Sequence, residues 1–241
     1  MSFTLETIVP WGRSLGEYLG MFSLSDADLR NRILGCGDGP ASFNALLTAQ
    51  GGHVVSVDPL YRFSAQDIRK RIDETRAEIL TQTRKNMHEF TWTSISSVDE
   101  LARVRMAAME TFLSDYTQGI AEGRYVNGEL PLLQFADAQF DLAVCSHLLF
   151  LYSEQLSEGF HLSSIRELCR VAAEVRIFPL LELGTRKSRH LERITSQLSE
   201  SGYTVSIVHV PYEFQKGGNQ MMVVSNVEQA IAADRVKTRV G

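Results

Sequence analysis

The sequence predicts an open, doubly wound α/β fold with a mostly parallel sheet and a closing antiparallel hairpin. Short apolar runs alternate with helical stretches along the chain, and a glycine-rich loop links the first run to a helix. Short, continuous apolar runs rich in β-branched residues are typical of strands that are buried on both faces. Four such runs are Ile33–Cys36, Val54–Val57, Leu142–Cys145 and Val175–Phe178.

Helical stretches separate these runs. They are predicted at Ala41–Gln50, Glu154–Val171 and Ser188–Ser201. Strand, helix and strand in repeat indicate crossover connections, which place helices against a parallel sheet. Two further apolar runs, Thr204–Val210 and Gln220–Ser225, have two glycines between them, which indicates an antiparallel hairpin.

The connection between the second and third strands is longer than one crossover helix needs. Residues 62–123 carry two helical patterns. Ile68, Ile72 and Ile79 share one face of the first, and a capping box at residues 97–100 begins the second. This segment lacks a third element to pack against, so we expect a helical insert and not a separate domain.

The domain organisation follows from these elements. At 241 residues the chain lies between one and two domains of about 150 residues each. We expect a single domain over residues 1–241, with 62–123 as a helical insert and 1–30 as an N-terminal helical extension.

Charge and composition argue against several function classes. The net charge is −5, with 44% hydrophobic and 22% charged residues. A broad nucleic-acid-binding face needs clustered lysines and arginines, so we do not expect DNA or RNA as a partner. The longest apolar stretch, Leu142–Tyr152, contains Ser146 and His147 and is far shorter than the roughly 20 residues that span a bilayer. We therefore expect no membrane partner.

The N-terminus and the cysteines predict a cytoplasmic protein. The N-terminal residues have no basic start and no unbroken apolar run, so no signal peptide is predicted. Cys36, Cys145 and Cys169 cannot all pair, and we expect them to be reduced thiols. The 6 histidines do not recur at ligand spacing and no cysteine pair accompanies them, so no metal site is predicted.

The glycine-rich loop after the first predicted strand is the strongest functional signal. Gly35, Gly37 and Gly39 alternate with Cys36 and Asp38. Glycine lets the backbone turn tightly and lets a ligand approach the amide groups at the start of the following helix. The loop therefore predicts a ligand site at the carboxyl end of this strand.

Two residues of the loop distinguish between two candidate cofactors, NAD and S-adenosyl-L-methionine. The dinucleotide fingerprint G-x-G-x-x-G needs a third glycine where this chain has Pro40. The carboxylate of Asp38 would lie beside a pyrophosphate and repel it by about 1 kcal/mol or more. S-adenosyl-L-methionine has no phosphate and carries a sulfonium and an ammonium group, which a nearby carboxylate favours. The loop therefore favours S-adenosyl-L-methionine over NAD.

Asp58 ends the second predicted strand and is the candidate ribose ligand. A carboxylate at this position can accept hydrogen bonds from both ribose hydroxyls of either candidate cofactor. The alternative is that Asp58 caps the turn that begins at Pro59. The glycine loop nearby in the predicted sheet favours the ribose role.

Three parts of the sequence resemble the class I S-adenosylmethionine-dependent methyltransferases. They are the loop Gly35–Gly39, the pair Val57-Asp58, and residues 129–142, ELPLLQFADAQFDL, which are similar to the family's passage into its fourth strand. The resemblance covers residues 31–61 and 125–225. It implies a seven-stranded sheet with the cofactor across the carboxyl ends of the first four strands.

The resemblance also implies which residues bind the cofactor. The loop amides and Asp38 would hold the methionine end, Asp58 the ribose, and Asn127 the adenine amino group, with the adenine between two leucines. The full predicted set is Gly35, Cys36, Gly37, Asp38, Asp58, Pro59, Leu60, Asn127, Leu130 and Ser146.

Two positions depart from the family pattern. Ile33 stands where the family usually has an acid for the cofactor's amino group, and Asp38 is our hypothesis for its replacement. Asn127 stands where the family usually has an acid for the adenine amino group, and an amide oxygen can still accept that hydrogen bond.

His147 is the candidate catalytic residue, because it follows the fourth predicted strand at the cofactor edge. A neutral imidazole there can take a proton from the acceptor, although methyl transfer depends more on orientation than on a base. The alternative is that His147 packs on the cofactor or caps the next helix. Phe150 and Tyr152 are predicted core residues in a helical stretch, while Tyr212 and Phe214 either line a substrate pocket or cover the sheet edge.

The predicted function is methyl transfer from S-adenosyl-L-methionine to a small molecule or a protein side chain. One alternative is a protein that binds S-adenosylmethionine or S-adenosylhomocysteine without catalysis. The other is an NAD-binding oxidoreductase, which Pro40 and Asp38 argue against. We expect the insert 62–123 to be a lid, an acceptor-recognition element or a dimer contact.

Overall fold

The computed structural model describes residues 9–226, which form a seven-stranded sheet with helices packed against it. The strands are β1 Arg32–Cys36, β2 His53–Val57, β3 Tyr125–Val126, β4 Phe140–Ser146, β5 Ala172–Phe178, β6 Tyr203–His209 and β7 Gln220–Asn226. Their order across the sheet is β3-β2-β1-β4-β5-β7-β6. The first five strands are parallel, and β7 is antiparallel to both of its neighbours.

The helices lie in the connections between strands. The α-helices of the described residues are α1 Leu15–Met21, α2 Phe43–Ala49, α3 Ala65–Lys85, α4 Val98–Ala121, α5 Glu158–Val171 and α6 Leu191–Glu200. Short 3₁₀ helices cover Asp28–Arg30, Pro59–Arg62 and Met87–Glu89. No helix within residues 9–226 combines the length and the apolar character that a bilayer crossing needs.

This architecture confirms the predicted fold class, including the seven strands and the closing hairpin. The parallel register places Cys36 opposite both Val57 and Cys145. The carboxyl ends of β1, β2 and β4 therefore meet at one edge of the sheet, and ligands bind at this edge in open α/β sheets.

The sheet has an apolar core on each face. Neighbouring residues of a strand point to opposite faces, so Ile33 packs with α1 and α2 while Leu34 packs with α5 and α6. Both side chains are fully buried. The two cores fix the positions of the strand ends, and the loops at the carboxyl edge are attached to these ends.

The segment between β2 and β3 contains the long helices α3 and α4. Ile68 and Ile72 on α3 pack against Met109 and Phe112 on α4. The capping box at the start of α4 is half formed: the N–H of Glu100 donates to Ser97 Oγ at 3.1 Å, but the Glu100 carboxylate accepts from Ser96.

One predicted element is wrong. Residues 148–156 form turns, so Phe150 and Tyr152 do not lie in a helix and α5 begins at Glu158 instead of Glu154. Phe150 has a φ of 65°, which an α-helix does not allow, and the Ser157 hydroxyl caps α5 by accepting from the Phe160 N–H. The predicted N-terminal extension is helical at α1 and at Asp28–Arg30, and its first eight residues lie outside the described residues.

Candidate functional site

A cavity of about 930 Å³ lies at the carboxyl edge of the sheet. Its walls come from the ends of β1, β2 and β4, from the segment before α1, from α3 and α4, and from the loop between β6 and β7. The volume is near the upper end of the roughly 300–1,000 Å³ that small-molecule sites enclose. The cavity therefore has room for more than one small molecule.

The glycine loop forms one wall, and Asp38 lies beneath it. The Asp38 carboxylate accepts hydrogen bonds from the Tyr18 hydroxyl at 2.7 Å and from the Ser56 hydroxyl at 2.6 Å. A Cβ on residue 35 would collide with this carboxylate, so Gly35 is needed to admit it. Burial raises the pKa of Asp38 to about 6, although the hydrogen bonds from Ser56 and Tyr18 oppose the rise.

Asp58 connects the glycine loop to the end of β2. One carboxylate oxygen accepts the Gly39 N–H at 2.9 Å, and the other accepts the Leu60 N–H at 2.8 Å. Asp58 thus caps the 3₁₀ helix that begins at Pro59, as the alternative reading of the sequence proposed. Burial raises its pKa to about 6 against these two backbone hydrogen bonds. The capping leaves further acceptor positions on both oxygens, because a carboxylate offers about four.

Some of the residues that were predicted to contact the adenine lie together in the cavity. Leu60, Pro59 and Leu130 line the cavity beside Asp58. Asn127 is exposed and does not line the cavity, whereas Glu129, two residues further on, does. Glu129 is therefore the polar residue after β3 that borders the cavity.

His147 lies at the end of β4 and lines the cavity. Its φ is 55° and its N–H donates to the Phe178 carbonyl at 2.7 Å, so the backbone fixes its position. Its Nδ1 lies 2.8 Å from Ser146 Oγ. Burial and the positive charges of Arg13 and Arg105 lower the pKa of His147 well below its usual range.

Arg105 is an interior cation that the sequence analysis did not identify. It lies on α4, is 1% exposed and pairs with Glu17 of α1. Tyr212 donates its hydroxyl to the same carboxylate at 2.8 Å. Burial alone would raise the pKa of Glu17, but the charge of Arg105 holds it at about 2.

Arg13 lines the cavity without a carboxylate at ion-pair distance among residues 9–226. Its guanidinium donates to the Trp11 carbonyl at 2.9 Å, and burial together with Arg105 lowers its pKa to about 10. Its backbone is fixed against the glycine loop, because the Arg13 carbonyl accepts the Ser42 N–H at 3.0 Å.

The structure brings most of the predicted site residues to one cavity. The lining includes Cys36, Gly37, Asp38, Asp58, Pro59, Leu60, Leu130, Ser146 and His147. Tyr212 and Phe214 also line it. Within the described part of the chain, no three His, Cys, Asp or Glu side chains are grouped to hold a metal ion.

Comparisons with known proteins give one close relative. No family model matches the chain. The chain is 32% identical over 224 residues to the uncharacterised protein MJ0045 of Methanocaldococcus jannaschii, covering 91% of this chain and 97% of that protein.

Solved structures that resemble the chain include three methyltransferases. The methyltransferase domain of bacterial CtHen1 has a TM-score of 0.45 and 13% identity, covering 88% of this chain and 96% of that one. A putative S-adenosyl-L-methionine-dependent methyltransferase from Methanococcus maripaludis has a TM-score of 0.45 and 11% identity, with coverages of 88% and 83%. Magnesium protoporphyrin IX methyltransferase from Synechocystis has a TM-score of 0.43 and 13% identity, with coverages of 83% and 73%.

Proposed function

This chain belongs to the same family as the protein MJ0045 of Methanocaldococcus jannaschii, and we propose that it is an S-adenosylmethionine-dependent methyltransferase that acts on a small molecule. Its fold is that of the class I methyltransferases, with five parallel strands followed by an antiparallel β7 between β5 and β6. Since a fold does not define a reaction, the proposal depends on the residues of the cavity.

The contact between Asp58 and the glycine loop is the observation that supports the proposal most. Asp58 accepts the N–H of Gly39 and stands at the cavity wall where β1 and β2 end. In this position its free acceptor sites can take the two ribose hydroxyls of a nucleoside. Leu60 and Leu130 are apolar surfaces on which the adenine can lie, and Glu129 can accept from the adenine amino group.

Asp38 favours the charge of this cofactor. Its carboxylate is ionised at pH 7, because a pKa of about 6 lies below that pH. Both of its oxygens accept hydrogen bonds from the protein, so we infer that it acts through its charge beneath the loop. A negative charge there stabilises a sulfonium and an ammonium group and disfavours a pyrophosphate.

His147 is proposed as the residue that accepts the acceptor's proton. Bound S-adenosylmethionine would supply an electrophilic methyl group on its sulfonium. When Nδ1 of His147 donates to Ser146 Oγ, Nε2 is left unprotonated and can act as a base. The cavity supports a small-molecule acceptor, since its volume of about 930 Å³ lies within the range of small-molecule sites.

Calorimetric titration with S-adenosylhomocysteine and, separately, with NADH tests the proposal. We expect the wild type to bind S-adenosylhomocysteine and not NADH. Asp58→Ala should weaken binding at least about tenfold, because it removes charge-assisted hydrogen bonds. Asp99→Ala is the matched control, because Asp99 is an exposed carboxylate on α4 away from the cavity. Binding of NADH alone, or equal binding by both variants, would contradict the proposal.

A further inference from the structure

We propose that the methyl acceptor is a small organic carboxylate with an apolar body, and that its carboxylate binds the guanidinium group of Arg13. This inference rests on the proposed function, because it assigns the chemical class of the acceptor. It is carried by a part of the cavity that Asp58 and the adenine wall do not form.

The first argument is the charge of this part of the cavity. Arg13 and Arg105 both line the cavity, and the positive charge of each raises the free-energy cost of keeping the other charged and buried. Among the described residues Glu17 is the carboxylate that pairs with Arg105, and none lies at ion-pair distance from Arg13. One carboxylate therefore faces two guanidinium groups in a region with little solvent. A buried, uncompensated charge is costly unless a counter-charge binds there.

The second argument is hydrogen bonding. Arg105 is 1% exposed, whereas Arg13 is only partly buried and lines the cavity. Within residues 9–226 the Arg13 guanidinium donates to the Trp11 carbonyl and has no carboxylate partner. A guanidinium group presents its N–H donors in a planar fork that matches a carboxylate. A carboxylate in the cavity would therefore find free donors on Arg13.

The side chains that line the cavity indicate the chemistry of the rest of the acceptor. Apolar and aromatic side chains line the same cavity as Arg13 and His147, namely Trp11, Leu151, Tyr152, Phe178, Tyr212 and Phe214. Such walls favour a flat apolar body over a sugar or a peptide. With Arg13 and His147 in one cavity, a carboxylate held by Arg13 would orient the reacting atom toward the imidazole.

Benzoate and its neutral analogue benzamide provide the test, each titrated into protein that is saturated with S-adenosylhomocysteine. We expect benzoate to bind in the millimolar range and at least about tenfold more tightly than benzamide, because only the anion makes charge-assisted hydrogen bonds. Arg13→Gln should bring the two affinities to within about twofold. Arg103→Gln is the matched control on α4, since Arg103 is 73% exposed and pairs with Glu100 outside the cavity; it should keep the preference.

Two results would overturn the inference. One is the absence of benzoate binding, or an equal affinity for benzoate and benzamide, in the wild-type complex. The other is an Arg13→Gln variant that loses affinity for S-adenosylhomocysteine but binds its decarboxylated analogue as the wild type does, since Arg13 would then hold the cofactor's own carboxylate. In both cases wild-type binding of S-adenosylhomocysteine would leave the proposed function intact, and its absence would refute that function separately.

Discussion

His147 is held neutral by its surroundings. Burial disfavours the imidazolium, and the charges of Arg13 and Arg105 disfavour it further, so its pKa lies well below its usual range. The imidazole is therefore unprotonated at pH 7, and the imidazolium that forms when it accepts a proton carries the same electrostatic cost. The same residue was the sequence-based candidate, but the two arginines that add to the effect of burial come from the segment before α1 and from α4.

The first prediction concerns this pKa. In the wild type, His147 should stay neutral as the pH falls through about 6.5, the usual histidine value. Arg13→Gln removes a nearby positive charge, so the pKa of His147 should rise toward 6.5. NMR titration of isotope-labelled histidines measures this, with His147→Gln to assign the signal. An unchanged pKa in Arg13→Gln would contradict the electrostatic account.

The second prediction concerns the adenine amino group. Glu129 lines the cavity and Asn127 does not. Glu129→Ala should therefore weaken S-adenosylhomocysteine binding by about tenfold, the size of one charge-assisted hydrogen bond. Asn127→Ala serves as the control and should stay within about twofold by calorimetry. If Asn127→Ala weakened binding more than Glu129→Ala, Asn127 would be the residue that contacts the adenine amino group, as the resemblance to the family implies.

The glycine loop and the loop after β3 show how far the sequence predicts individual contacts. The alternation of glycines located the loop, but the pattern did not show that Gly35 is required to admit the Asp38 carboxylate. That contact depends on Tyr18 and Ser56, which donate from other elements. Likewise, the resemblance implied Asn127 for the adenine amino group, whereas Glu129 is the polar residue of this loop that lines the cavity.

At the scale of elements, the segment before α1 is fixed against the glycine loop. A Cβ on residue 12 would collide with the Pro40 carbonyl oxygen, whereas a Cβ on residue 16 has open space around it. Gly12→Ala should thus destabilise the protein by about 1–3 kcal/mol, the usual cost of overpacking, and weaken S-adenosylhomocysteine binding. Gly16→Ala, within α1, should stabilise it by up to about 1 kcal/mol. Urea denaturation measures both, and a tolerated Gly12→Ala would contradict the close packing.

The link between α1 and α4 yields the next prediction. Glu17→Gln leaves Arg105 buried without its charge partner, so we expect a loss of about 3–5 kcal/mol in the free energy of unfolding. Glu110→Gln removes the exposed partner of Arg69 and should cost about 1 kcal/mol or less. Since the pKa of Glu17 is lowered to about 2, its stabilisation should persist above pH 4.5 and disappear as the pH falls toward 2. Equal losses in the two variants at pH 7 would refute this ion pair.

Residues 148–156 are the segment for which the hydrophobic periodicity gave a wrong prediction, because they form turns and not a helix. The apolar residues in this segment suggested a helix, but Phe150 adopts a left-handed conformation and its N–H donates to His161 Nε2 at 3.0 Å. The segment instead follows the cavity wall, with Leu151 and Tyr152 lining it. Local sequence does not encode a conformation that a tertiary hydrogen bond stabilises.

At the scale of the whole molecule, the fold and the position of the site could be predicted from the sequence. Buried strands read as continuous apolar runs, and their parallel arrangement brings Asp38, Asp58 and His147 to one edge of the sheet. The two arginines of the cavity could not be predicted. Arg13 and Arg105 are distant in sequence and meet only because α4 packs beside the segment before α1.

A crystal structure of the protein with S-adenosylhomocysteine tests the central claim most directly. We predict that both ribose hydroxyls donate to Asp58, that the adenine lies against Leu60 and Leu130 with its amino group on Glu129, and that the sulfur faces His147. A nucleoside bound outside this cavity, or bound within it with no contact to Asp58, would contradict the account.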